Sequence, residues 1–127
     1  MRRTDQRRAA VVALYQRDVT DRPLSDLVDP RATAFTRELV EGVDTDTEEL
    51  DALIERFAEG WTVDRIAPLE RNIMRVALFE LLHRDDIPDE VAIDEAVEAA
   101  KELCSREAPA FVNGILGAVV RERAARA

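Results

Sequence analysis

Cysteine, histidine, tryptophan and tyrosine each occur only once in this chain, and lysine appears only as Lys101 among 18 basic residues. A single cysteine, Cys104, excludes an internal disulfide and any cysteine zinc cluster, and a reduced, cytoplasmic setting is the simple expectation. Catalysis has few groups to use. His83 stands beside Arg84, Asp85 and Asp86 and reads as a charge partner at a helix C-terminus rather than as a base. Cys104 falls on an apolar stripe and reads as a small core residue. The chain lacks a glycine-rich phosphate loop and a nucleophile elbow. Asp85-Asp86 and Asp94-Glu95 are adjacent pairs, and adjacent residues do not share a helix face. The sequence therefore reads as a binding protein and not an enzyme, with no cofactor and no metal site. No apolar run approaches the roughly 18 residues of a membrane span. The N-terminal stretch MRRTDQRRAAVVALYQ has arginines but no long apolar segment and no small-residue cleavage site, so it is not expected to be a secretory signal.

What is present is charge, unevenly placed. The net charge is −9, yet the first 17 residues carry five arginines against Asp5 alone, a net of +4, which leaves −13 on the rest. A basic tip on an acidic body suggests a local polyanion site. Arginine suits that role because its flat donor fork matches phosphate and stacks on bases. An arginine-rich codon usage explains the same bias without function.

Helical periodicity recurs throughout, and no strand pattern stands out. Val11, Leu14, Tyr15 and Val19 form the first stripe. Asp29-Pro30 reads as an N-cap with a first-turn proline, followed by Phe35, Leu39, Val40 and Val43, with Gly42 as a stop. Thr45 and Glu48 fit a capping box that opens a further helix carrying Leu50, Leu53, Ile54 and Phe57, which Gly60 ends. Trp61 is expected to pack between two halves of the molecule. One short turn over 62–66 precedes what reads as the longest and most central helix, starting at Pro68. HRDDIPDE is a loop; Ile93, Ala96, Val97, Ala100, Leu103 and Cys104 form the next stripe, and Pro109 opens the last helix. The expected fold is all-α, a compact bundle of about seven helices, one domain over 1–127 with halves near 1–61 and 62–127.

The last helix contains FVNGIL, residues 111–116, although Asn-Gly is a hairpin signal and glycine costs about 1 kcal/mol in a helix. Gly114 would let another helix or a ligand approach the backbone. Asn113 can donate and accept at once. Phe111 reads either as core or as an exposed aromatic able to stack on a base.

Five segments, RRAAVVALYQ, FTRELVEGV, LERNIMRVALFEL, IPDEVAIDEAVEAAK and FVNGIL, resemble in order and spacing the NusB family of bacterial transcription antitermination factors, over about Arg7 to Val120. The resemblance implies a seven-helix bundle in two halves. It implies a factor that binds single-stranded boxA RNA together with the ribosomal protein NusE, joins the antitermination complex on RNA polymerase, and promotes read-through and ribosomal RNA synthesis. It places Arg2, Arg3, Arg7 and Arg8 at RNA phosphates, and Arg75, Glu107, Phe111 and Asn113 at or beside the RNA. It places Tyr15 and Glu80 near NusE. On the residues alone Arg75 and Glu80 read equally as having partners on other helices, Tyr15 as edging the core, and Glu107 as a solvated loop residue. Reversing Arg7 and Arg8 to Glu is expected to abolish RNA binding without unfolding. Two departures bear on the RNA surface: Ala108 stands where the family has Ser, and Gly117 where it has an acidic residue. Two alternatives stay open. One is a homodimer or protein-interaction module that has lost RNA affinity. The other is the regulatory domain of a ribosomal RNA cytosine methyltransferase, whose catalytic domain would start where this chain ends.

Overall fold

A computed structural model describes residues 1–126. Among them there are helices and turns and no strand. The helices are α1 (Arg3–Thr20), α2 (Leu24–Leu27), α3 (Ala34–Phe57), α4 (Pro68–His83), α5 (Asp89–Leu103) and α6 (Ala108–Arg126), with a 3-10 turn at Val63–Arg65. None of these helices is long and apolar enough to cross a membrane.

α4 is the centre. Every residue from Asn72 to Leu81 is buried, and the helix packs against α1, α3, α5 and α6. Pro68 sits in its first turn, where a missing N–H costs nothing, and the helix ends at His83 just before the 84–88 loop. Its neighbours present the stripes that the sequence announces, Val11 and Leu14 from α1 and Phe35, Leu39, Val40, Val43, Leu50 and Ile54 from α3, and α6 adds Val112, Ile115 and Leu116. α5 contributes only alanines to the fully buried set, Ala92, Ala96, Ala99 and Ala100, which lets it lie close to α4.

The longest helix is α3, not α4, because the two helices read from sequence on either side of Gly42 are one. The expected capping box at Thr45 does not form. Instead the chain kinks at Asp46 (φ −103°, ψ 16°), and the Thr47 hydroxyl donates to the Val43 carbonyl at 2.6 Å. A hydroxyl bonded back one turn bends a helix without ending it. The start of α3 also differs. Thr33 is the N-cap, accepting from the Thr36 N–H at 3.3 Å. Asp29 accepts from the Arg31 N–H at 2.8 Å and so makes a turn of its own.

Gly42 lies inside α3 for a packing reason. A Cβ there would fall on the ring of buried Phe79 from α4. Alanine prefers the helix by about 1 kcal/mol. The clash outweighs that, so Gly42→Ala should lower stability by about 1–3 kcal/mol. Chemical denaturation of Gly42→Ala alone and with Phe79→Leu reads this: the second change should recover part of the loss.

Candidate RNA interface

The basic tip is folded largely onto its own carboxylates. Arg7 is buried, and its guanidinium grips Glu80 of α4 through Nε at 2.9–3.0 Å and Nη2 at 2.8 Å. Glu80 is only 1% exposed. A second carboxylate, Glu95 of α5, lies 3.7 Å from Arg7 Nη1 and accepts the Thr4 hydroxyl at 2.8 Å. Arg8 reaches Glu102 on α5 at 2.6 Å, and Arg2 faces Asp5 at 3.4 Å. Arg3 lays its guanidinium over the Phe35 ring, 3.8 Å from the centroid. Arg2 and Arg3 are exposed and Arg8 is partly so.

Arg75 is buried as well. Its Nε and Nη2 donate to the two oxygens of Asp51 at 2.7 and 2.8 Å, and its Nη1 donates to Asp18 at 2.9 Å. Asp18 Oδ2 also accepts from Arg71 and from Asn72 Nδ2, both at 2.9 Å. One carboxylate from α1 therefore collects three donors from α4, while Asp51 ties in α3. Burial alone would push the Asp18 carboxyl up. The hydrogen bonds from Asn72 and Arg71 and the charge of Arg75 outweigh it and hold the carboxyl below its ordinary value.

These placements correct the sequence reading at three residues. Arg7 and Arg75 do not present a free fork to phosphate, and Glu80 does not present a free carboxylate to a partner protein. Each already has a buried ion partner on another helix. Reversing Arg7 to Glu would set two carboxylates together in the core, so it cannot leave the fold intact. Arg8 stays accessible to that test. Tyr15 is half-buried on α1.

The second group lies at the start of α6. Glu107 and Asn113 are exposed, and Phe111 is half-buried, leaning on the core from its rim. α6 begins at Ala108, one residue before the expected Pro109. Phe111 borders two shallow clefts, and Trp61 borders both with it. Trp61 is 52% exposed and does not pack between halves of the molecule. Gly114 is exposed, and a Cβ there would meet nothing within 4 Å, so no helix approaches it. Gly114→Ala should therefore stabilise the fold by about 0.5–1 kcal/mol, a small rise in Tm. The Arg8–Glu102 pair links the two groups, since Glu102 is in the last turn of α5 and Ser105, shortly after it, lines the Phe111 cleft.

Cys104 caps α5 half-buried, where burial and then the nearby Glu70 charge push its thiol up to about 11. His83 places Nε2 3.1 Å from Asp46 at the kink of α3, with its ring against Phe79. Among the described residues no group of three His, Cys, Asp or Glu is placed to hold a metal ion.

The sequence model of the NusB family matches residues 4–121. The chain belongs to the NusB family. It is 54% identical over 92 residues to the transcription antitermination protein NusB of Frankia casuarinae, a match spanning 72% of this chain and 68% of that one. With the protein of the same name from Myxococcus xanthus it shares 41% identity over 131 residues, 93% of each chain. Among solved structures, NusB of T. maritima superimposes with a TM-score of 0.88 at 34% identity, covering 96% of this chain and 92% of that one. A chain from a complex of the antitermination factors NusB and NusE with double-stranded RNA superimposes with a TM-score of 0.84 at 25% identity, covering 94% and 96%. The NusB fold thus extends over nearly all of the chain.

Sequence reasoning missed Asp18, Asp51, Glu95 and the exposure of Trp61. Asp18 and Asp51 sit on faces shared with apolar residues, which is the signal available in sequence for a carboxylate that needs an internal partner.

Proposed function

We propose that this chain is a transcription antitermination factor that binds single-stranded boxA RNA together with NusE and acts in the antitermination complex on RNA polymerase. The observation that carries this reading is the likeness, along nearly the whole chain, to proteins named transcription antitermination protein NusB and to a chain from a complex of NusB and NusE with double-stranded RNA. The accessible candidates support an RNA surface of two parts. Arg2, Arg3 and Arg8 supply positive charge that contacts phosphates. Phe111 supplies a half-buried ring for stacking, with Asn113 and Glu107 offering polar groups to base edges. Phosphate contacts give salt-dependent affinity without sequence information, and base contacts give the preference for one sequence. Tyr15 contributes to the NusE contact, and Glu80 acts behind the surface by holding Arg7 in α1.

The test separates charge from stacking. Arg3→Gln with Arg8→Gln should lower the slope of log affinity against log salt by about 1.4, roughly 0.7 per lost phosphate contact on a single strand. Phe111→Ala should weaken binding by about 1–3 kcal/mol with no change in that slope. Because Phe111 also leans on the core, Phe111→Leu is the control that keeps packing and removes the ring. Equal RNA affinity in all three variants would overturn this surface.

A further inference from the structure

We propose that Trp61 is a second stacking position for single-stranded RNA beside Phe111, with Arg65 and Arg106 holding the phosphates next to it; this rests on the RNA-binding reading above. Trp61 is the only tryptophan in the chain and its most exposed aromatic, at 52%. Its position is built by the backbone. Glu59 (φ 42°) and Gly60 (φ 91°) are both left-handed, and the Trp61 N–H turns back to the Ala58 carbonyl at 3.3 Å. That turn ends α3 and leaves the indole at the surface, bordering both of the clefts that Phe111 borders.

The clefts have an apolar floor, in which Ile66, Ala108 and Ile115 take part, and a charged rim. Arg65 lines the same cleft as Trp61 and Phe111, and Arg106 stands between two of its lining residues, Ser105 and Glu107. Both arginines are exposed. Neither forms an ion pair among the described residues, whereas arginines such as Arg7, Arg17, Arg71, Arg75 and Arg84 each face a carboxylate. Glu59, Glu70 and Glu107 share this rim, so its summed charge does not select an anion; two exposed guanidinium groups without an ion partner, set beside two rings, fit an occupant that alternates flat groups with phosphates. A nucleotide chain meets both conditions: bases stack on the rings, and phosphates meet the arginines. Glu70 and Glu107, on the same rim, can accept from base amino groups. The site continues the surface assigned to Phe111 and lengthens the strand the protein can hold.

The experiment titrates labelled single-stranded boxA-like RNA into the complex with NusE. RNA anisotropy gives affinity, and the emission of Trp61 is read as the difference between the wild-type complex and Trp61→Phe. Stacking predicts that the emission is quenched with the same midpoint as the anisotropy change. Trp61→Ala should weaken binding by about 5- to 150-fold with the salt slope unchanged. Arg65→Gln with Arg106→Gln should lower that slope by about 1.4. RNA that binds with unquenched Trp61 emission and equal affinity for Trp61→Ala overturns the second stacking position and leaves RNA binding standing. No RNA binding in any condition overturns both readings together.

Discussion

Glu80→Ala should cost about 3–5 kcal/mol of folding stability. The carboxylate is 1% exposed and accepts three hydrogen bonds from one guanidinium. Removing it strands the Arg7 charge in the core, with only Glu95 at 3.7 Å as a neighbour. Breaking a buried pair from one side costs far more than the pair contributes, because burying an unpaired charge is so unfavourable. Arg7→Ala should show a loss of similar size. The double variant should lose much less than the sum, because each partner's penalty comes from the other being left alone. Denaturant unfolding of the four proteins in the cycle measures this. Additive losses would mean that the two residues do not act as a pair.

Acid should unfold the protein through Asp18. Its carboxyl is held below the ordinary value, so the unfolded chain binds a proton there more readily than the folded chain does. The stability from this group is fully present above the unfolded pKa of about 3.9 and is lost as pH falls through the lower folded value. Asp18→Ala should cost on the order of 3 kcal/mol at neutral pH, because it orphans donors of Arg71, Asn72 and Arg75 in one step. The same variant should also unfold less steeply with acid below pH 4, because that depressed carboxyl is gone. Melting temperatures of both proteins between pH 2 and 7 read this directly. Parallel acid limbs in both proteins would show that Asp18 does not carry the effect.

The apolar stripes on α1 and α3 were legible because burial on one side of a helix imposes its own period on the sequence. Gly42 and the 45–48 segment were not, because a glycine that makes room for Phe79 and a glycine that stops a helix look alike in one dimension. The long-range ion pairs were hidden for another reason. Arg7 and Glu80 stand 73 positions apart, and their charges carry no record of each other. Five N-terminal arginines therefore read as a basic patch, whereas four of them face carboxylates supplied by the fold or the same helix. In sequence Trp61 reads as packed between two halves of the molecule, but the two left-handed residues before it turn it out. FVNGIL reads as unusual for a helix in sequence alone. Its glycine faces open space beside Phe111, so the motif leaves a surface clear instead of bringing two helices together.

The central claim is tested most directly by the binding of boxA-like single-stranded RNA against a scrambled strand, with and without NusE, at several salt concentrations. The account predicts a preference for the boxA-like strand that strengthens when NusE is present and an affinity that falls steeply with salt. Equal affinity for both strands, or none for either with NusE bound, would contradict it.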